Sequence, residues 1–359
     1  MGKKPHITLA NFAQSYGPLL SLRLGTQLLI VGSSPAAAEE ILKTNDRILS
    51  ARSVPHVAPA KSPELNHLSL GWAVECNDAW KSLRTICRTE LFSGKAIESQ
   101  ACLREKKIMD LVKYLSSMEG KVVNVGEVVF ATVFNVLSNA LLSRDFIVLG
   151  VDGVMKGLEL FSAGTDTSTS TVEWALAELI KNPESMKKVR EELTREIKQE
   201  SLKESHLPQL PYLQACVKET LRLHPPAPFL LPHRALDSCK VMNYTIPKNA
   251  QVVVNIWAIG RDPVIWEEPL KFKPERFLNS TLDFKGNDFE FLPFGAGRRI
   301  CPGLPMGAKQ VSLALASLIH HFDWSLPHGN DPNELDMNEK FGVTLHKEQP
   351  LLLIPEVKK

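Results

Sequence analysis

The residue with the plainest chemistry is Cys301, inside the stretch FGAGRRICPG that runs from Phe294 to Gly303. No other cysteine or histidine stands at ligand spacing beside it. A thiolate is a soft ligand, and a single one suits haem iron better than zinc, which takes several protein ligands. The apolar stretch that follows reads as a helix, and its free N–H groups would stabilise negative charge on the sulfur. Gly297 and Gly303 would let the backbone press against a flat macrocycle, and Arg299 would offer a cation to a propionate. For Cys301 alone, a buried free thiol in a glycine turn is the commoner reading.

Other short stretches carry residues of the same interest. KETLRLHPP holds Glu219 and Arg222, which share a helix face at i and i+3 and can pair. An isolated pair of this kind is most often a surface salt bridge of less than about 1 kcal/mol. FKPERF supplies Arg276, and PHRA supplies His233 and Arg234. WKSLR holds Trp80 and Arg84. AGTDTS, from Ala163 to Ser168, holds Gly164, Asp166 and Thr167. Gly164 would allow a local widening of a helix; the plain alternative is a helix whose hydroxyls bond back to its own carbonyls. His206, His224, His320 and His321 lack ligand spacing and read as structural or surface residues, and Trp257 and Trp266 as core.

Taken in order, these stretches resemble the cytochromes P-450. The string around Cys301 matches FxxGxRxCxG, the haem-ligand loop of that family, through Phe294, Gly297, Arg299, Cys301 and Gly303. ExxR, PERF, AGTDTS and WxxxR then occur where the family requires them. The resemblance implies a mainly-α fold with a minor β region, and haem b with Cys301 as the axial iron ligand. It implies Trp80, Arg84 and Arg234, with His233 behind it, near the propionates. Glu219, Arg222 and Arg276 would form a structural ion-pair triad. Thr167 and Asp166 would serve catalysis, one donating toward bound dioxygen and the other relaying protons. Electrons would come from NADPH through a reductase, and one atom of O2 would enter a small lipophilic substrate. The wording LFSAGTDTSTSTVEWALAELIKNP is similar to plant microsomal members of N-methylcoclaurine 3'-hydroxylase and geraniol hydroxylase type. Those act on alkaloids and terpenoids, at the cytoplasmic face of the endoplasmic reticulum.

The elements that must position these residues can be read from patterning. A chain of 359 residues can bury a large core. With 44% apolar and 23% charged residues it is of ordinary globular composition, and a net charge of +2 gives no electrostatic case for nucleic acid. Six scattered cysteines form neither a disulfide framework nor a CxxC zinc pattern. Pro18 to Ser34 reads as a β-hairpin around Gly25-Thr26, followed by a helix capped by Ser34 with Pro35 in its first turn. Residues 52 to 75 read as a long loop. Helical pattern fills Asp78 to Leu142, with breaks near Ser93-Gly94 and Glu119-Gly120, and again roughly 154–180. PESMKKVREELTREIKQE reads as a charged surface helix, LPYLQACVKETLRL as a helix stopped by Pro225-Pro226, and AQVVVNIWAIG as strand. No uninterrupted run of eighteen apolar residues occurs, so no spanning helix is expected.

The whole chain, 1–359, reads as one domain, with two departures from the family. The N-terminus begins where a membrane anchor and hinge would already be finished, so the family's membrane association is expected without its anchor, and the chain could be cytoplasmic. A seam near 144–160 joins NALLSRDF directly to the AGTDTS region, where the family carries the roof helices over the substrate. Without that roof, water would reach the haem face and favour peroxide release. The rival expectation is a shortened, non-catalytic form that binds haem weakly or not at all.

Overall fold

The computed structural model describes residues 2–53, 69–147, 149, 159–198 and 201–358. Their contacts divide them into two compact units. The first comprises Met1–Ser93, Ala227–Lys271 and Leu282–Pro302; the second comprises Gly94–Pro226, Phe272–Thr281 and Gly303–Lys359.

The first unit is built on a five-stranded sheet. Gly25, at φ 60°, turns the strand Leu19–Leu24 antiparallel onto Gln27–Gly32. Gln27–Gly32 then pairs in parallel with Gln251–Val254, and His233–Arg234 and Ala51–Arg52 complete the far edge. Alternation decides the two faces. Ile30, Val252 and Val254 point into a core with Ile41, Leu42, Leu49 and Leu292. Leu29, Val31 and Val253 point the other way and bury Leu9 of the helix Pro5–Tyr16. Ser34 accepts from Ala37 N at 3.2 Å and caps the next helix, with Pro35 in its first turn. That helix widens to π-type over Glu40–Thr44. The expected strand AQVVVNIWAIG ends early, because the Asn255 side chain accepts from Ala258 N at 3.1 Å and starts the short helix Ile256–Ile259.

The second unit is helical. Its central helix, Glu159–Lys181, packs on Val125–Leu142, Leu304–His321 and Pro211–Leu223. Pro183–Ile197 follows after Asn182; it is charged outside but buries Met186, Val189, Leu193 and Ile197 inward. Val125–Leu142 is the one described helix long and apolar enough to cross a membrane, yet 61% of it is buried within the unit. Its apolar side chains are therefore core. Small sheets fasten the chain's end: Leu352–Val357 lies between Val123–Asn124 and Phe322–Ser325, and Glu339–Lys340 pairs with His346–Lys347 as a hairpin. Between Leu142 and Glu159 the described residues form no helix. Most of the seam, and most of the 52–75 loop, lies outside the described residues.

Candidate functional site

In the first unit the Cys301 loop is closed by its own backbone. Cys301 N donates to the Phe294 carbonyl at 2.9 Å, and Gly297–Arg299 forms a 3-10 turn between them. The thiol is exposed, and the Phe294 ring meets Phe284 edge-on at 5.4 Å. Gly297 lies at φ 64°, where a Cβ would fall 1.9 Å from the Leu42 carbonyl oxygen. Its bareness admits the chain's own backbone. Gly303, at φ −82°, sits in a conformation open to any residue.

Three guanidinium groups gather beside this loop. Arg299 donates to the carbonyls of Ser50 (2.8 Å), Leu70 (3.3 Å) and Ala73 (2.7 Å). It also lies over the Trp80 ring at 4.8 Å. Arg84, one turn on from Trp80 in the helix Asp78–Ile86, donates to the Ile300 carbonyl and stands 5.9 Å from the same ring. Trp80 itself is buried and donates Nε1–H to the Leu70 carbonyl at 2.9 Å. Arg52, also buried, donates to the Gly71 and Leu231 carbonyls. Burial lowers the pKa of all three arginines, Arg52 to about 9, because charge is being held out of water. Among the described residues none of the three meets a carboxylate.

This is an excess of positive charge, buried at Arg52 and half-buried at Arg84 and Arg299, that a dianionic ligand would offset. Arg84 is within electrostatic reach of Cys301, which favours the thiolate. No group of three His, Cys, Asp or Glu is placed to hold a metal among the described residues. One exposed thiol beside cations that meet no carboxylate among the described residues is the donor set of a haem held by a single cysteine, and the residues present fit that group.

The structure divides the PHRA segment unexpectedly. Strand alternation sends Arg234 outward, where it donates to Asn249 Oδ1 at 2.9 Å and lies 4.0 Å from Glu75. His233 faces inward, in the field of Arg52 and Arg299, with its Nδ1–H donating to the Leu49 carbonyl at 2.6 Å. Burial first, and the Arg52 cation second, hold its pKa well below 6.5. A group depressed on folding contributes stability that is present above its unfolded value and lost as pH falls. Urea midpoints measured from pH 7 to pH 5 are therefore expected to fall. This one group would contribute up to about 1.4 kcal/mol for each pH unit below 6.5. His233→Gln, which keeps a donor and cannot titrate, should flatten the decline; an unchanged decline would mean that His233 titrates normally.

The second unit carries the triad. Glu219 is fully buried and receives Arg222 Nε and Nη2, each at 2.7 Å, as a bidentate pair. Its Oε1 also accepts from Arg276 Nε at 3.0 Å and from Lys273 N at 2.8 Å. The PERF turn, Pro274–Phe277, is thus fastened to the helix Pro211–Leu223 through one carboxylate.

On the central helix, Thr167 donates to the Ala163 carbonyl at 2.7 Å, Ser168 to Gly164, and Thr171 to Thr167. Gly164 does not widen the helix, which is regular from Glu159 to Lys181. A Cβ there would lie 2.8 Å from Leu137 Cδ1, so the glycine serves close helix packing. Asp166 is half-buried, and desolvation raises its pKa against the pull of His346 and Ser162.

His224, read from sequence as structural or surface, is structural. It is buried and stacks on Trp174 at 3.9 Å, with Nε2 2.7 Å from Glu178 and Nδ1 3.3 Å from Glu339. Lys347 covers the Trp174 ring at 4.6 Å. Nothing in the spacing of these residues announces the cluster.

A helix-rich chain with a cysteine loop, half-buried cations that meet no carboxylate among the described residues and a buried Glu-Arg-Arg triad defines the haem-thiolate class of oxidoreductases. The Cytochrome P450 family profile matches residues 1–153 and 152–354, and the chain belongs to the cytochrome P450 family, as a monooxygenase of the plant type. It is 46% identical to the probable (S)-N-methylcoclaurine 3'-hydroxylase isozyme 2 of Coptis japonica, over 99% of this chain and 89% of the relative. It is 43% identical to (S)-N-methylcoclaurine 3'-hydroxylase isozyme 1 of Papaver somniferum, over 100% of this chain and 92% of the relative. The Coptis alignment runs over 439 positions, about 80 more than the 359 residues of this chain. In fold it is similar to a zebrafish cytochrome P450 solved with abiraterone, at a TM-score of 0.84 and 22% identity, over 99% of this chain and 100% of that one.

Proposed function

We propose that the chain hydroxylates a benzylisoquinoline alkaloid of the N-methylcoclaurine kind, with haem iron held by Cys301. The observation that carries the haem assignment is the exposed Cys301 thiol in the field of Arg84, with Arg299 and the buried Arg52 gathered beside its loop; among the described residues none of the three meets a carboxylate. The substrate class rests on the named relatives. A bound haem would supply oxygen activation and C–H hydroxylation, with electrons from NADPH through a reductase at the cytoplasmic face of the endoplasmic reticulum.

The chain's own residues would do the rest. Arg84, Arg299 and Trp80, once its N–H leaves the Leu70 carbonyl, would orient the propionates, and His233 would lie nearer to them than Arg234. Thr167 would release the Ala163 carbonyl and offer its Oγ–H to dioxygen as substrate. Asp166, whose desolvated carboxyl protonates more readily than an exposed one, would hold the proton at its carboxyl oxygen and pass it on. Glu219, Arg222 and Arg276 would keep the PERF turn in place. The whole chain would act as one P450 domain.

A second reading has its own support. The two profile matches meet at 152–153, and the relatives carry about 80 further aligned positions. A form shortened there would be a non-catalytic remnant. A carbon monoxide difference spectrum of the reduced, purified chain decides. The strongly red-shifted Soret band of a thiolate ligand is expected, and it should vanish in Cys301→Ala. A chain without that band supports the remnant instead.

A further inference from the structure

The hairpin formed by Glu339–Lys340 and His346–Lys347 is bound along one stripe of the central helix. Asp166, Ser170 and Trp174 recur every fourth residue and so share a helix face. Ser170 Oγ donates to the Leu345 carbonyl at 2.6 Å, and Lys347 lies on the Trp174 ring. Glu339, opposite Lys347 in the hairpin register, reaches the His224 ring, which is itself stacked on Trp174. Leu345 N donates to the Pro226 carbonyl at 2.8 Å. The hairpin is thus held at both strands, and His346 stands one residue from an anchor that is one helical turn from Asp166.

The two side chains are complementary in what they lack. Both are half-buried. Asp166 accepts a single long bond, from Ser162 Oγ at 3.5 Å. The His346 ring hydrogen-bonds to no protein atom among the described residues. Each sits in the field of the other: the carboxylate favours the imidazolium, and the imidazole favours the carboxylate, while desolvation opposes both. The remaining cation facing His346 is Lys340, its partner in the hairpin register, which favours the neutral ring.

We propose that His346 is the proton-exchange partner of Asp166, returning to its carboxylate the proton that Asp166 gives up and reloading from solvent. The inference rests on the functional reading of Asp166 given above. The imidazolium N–H bond breaks as a carboxyl O–H bond forms, with a water bridging the gap; the neutral ring then takes a proton from water. No oxidant or reductant is needed. His346 acts through Asp166 and touches neither substrate nor haem in this scheme.

The sign of the pH dependence follows. Burial first, then Lys340, hold the His346 pKa below 6.5, so the proton-carrying form falls as pH rises through that lowered value. Asp166→Asn removes the group that raises it. The ring C–H signals of His346, titrated by NMR in the full chain and assigned through His346→Gln, are expected to shift their midpoint downward in Asp166→Asn. In His346→Gln, product formed per oxygen consumed should fall about tenfold. The remaining activity should lose its decline with rising pH while the substrate KM holds. A midpoint that Asp166→Asn leaves in place, or a His346→Gln pH profile that overlays wild type, overturns the relay. Loss of the thiolate band in the unmodified chain would instead overturn the functional reading and the relay with it; the band present without coupling overturns the relay alone.

Discussion

Glu219→Gln is expected to destabilise the chain by about 3–5 kcal/mol, the scale for breaking a buried ion pair from one side. That is a large share of the roughly 5–15 kcal/mol by which a domain is stable. The size follows from what is left behind. Glu219 and Arg222 are fully buried, and Arg276 is nearly so. One carboxylate receives two bonds from Arg222, one from Arg276 and one from the backbone of Lys273. Glutamine keeps the shape but removes the charge, and its amide N–H groups face other donors. Two guanidinium groups would then lose that carboxylate in low dielectric. The exposed pair between Lys188 and Glu275, 2.6 Å apart, gives the contrast. Water screens it, and Lys188→Ala should change stability by less than about 1 kcal/mol. Denaturant unfolding of the two variants side by side checks this. Equal losses would mean that the triad is worth no more than a surface contact.

The pairing of Glu219 with Arg222 was legible because it depends on a local rule: i and i+3 lie on one helix face. The hairpin around Gly25-Thr26 and the Ser34 cap were legible for the same reason. What escaped reading depends on contacts distant in sequence. His224 meets Glu178 at a separation of 46 residues and Glu339 at 115. No periodicity links the three, and each has polar alternatives that a sequence cannot exclude. The choice between His233 and Arg234 also escaped. Both are basic, and which one faces Arg299 is set by the register of a two-residue strand against Ala51–Arg52 and Gln251–Val254. A shift of one residue would exchange them. Gly164 was misread because a glycine in a helix looks the same whether it serves a bulge or a close neighbour; here Leu137 decides it.

Gly297→Ala is expected to be the most damaging single methyl group in the first unit. Two penalties coincide at this residue. Its φ of 64° is left-handed, which costs a residue with a Cβ about 1–2 kcal/mol. The new Cβ would then lie 1.9 Å from the Leu42 carbonyl oxygen, far inside contact. That oxygen belongs to backbone in the π-turn Glu40–Thr44, so it cannot swing aside as a side chain would. The same junction carries Arg298, which donates its N–H and Nη2 to Asp46. Relief therefore means moving the Cys301 loop off the turn and stretching those bonds. Gly295→Ala separates the two penalties. Gly295 is also left-handed, at φ 72°, but its Cβ would meet Leu230 Cδ1 at an ordinary 3.5 Å. It should lose only the conformational part. Unfolding midpoints should fall much further for Gly297→Ala, by several kcal/mol against about 1 kcal/mol for Gly295→Ala. Thiolate-bound haem should be retained in Gly295→Ala and diminished in Gly297→Ala, since only the latter displaces the loop that presents Cys301. Equal losses of stability would show that the loop and the π-turn do not approach this closely in solution. The backbone of the motif would then answer to the loop's own turn, and the Leu42 contact would have no part in holding Cys301.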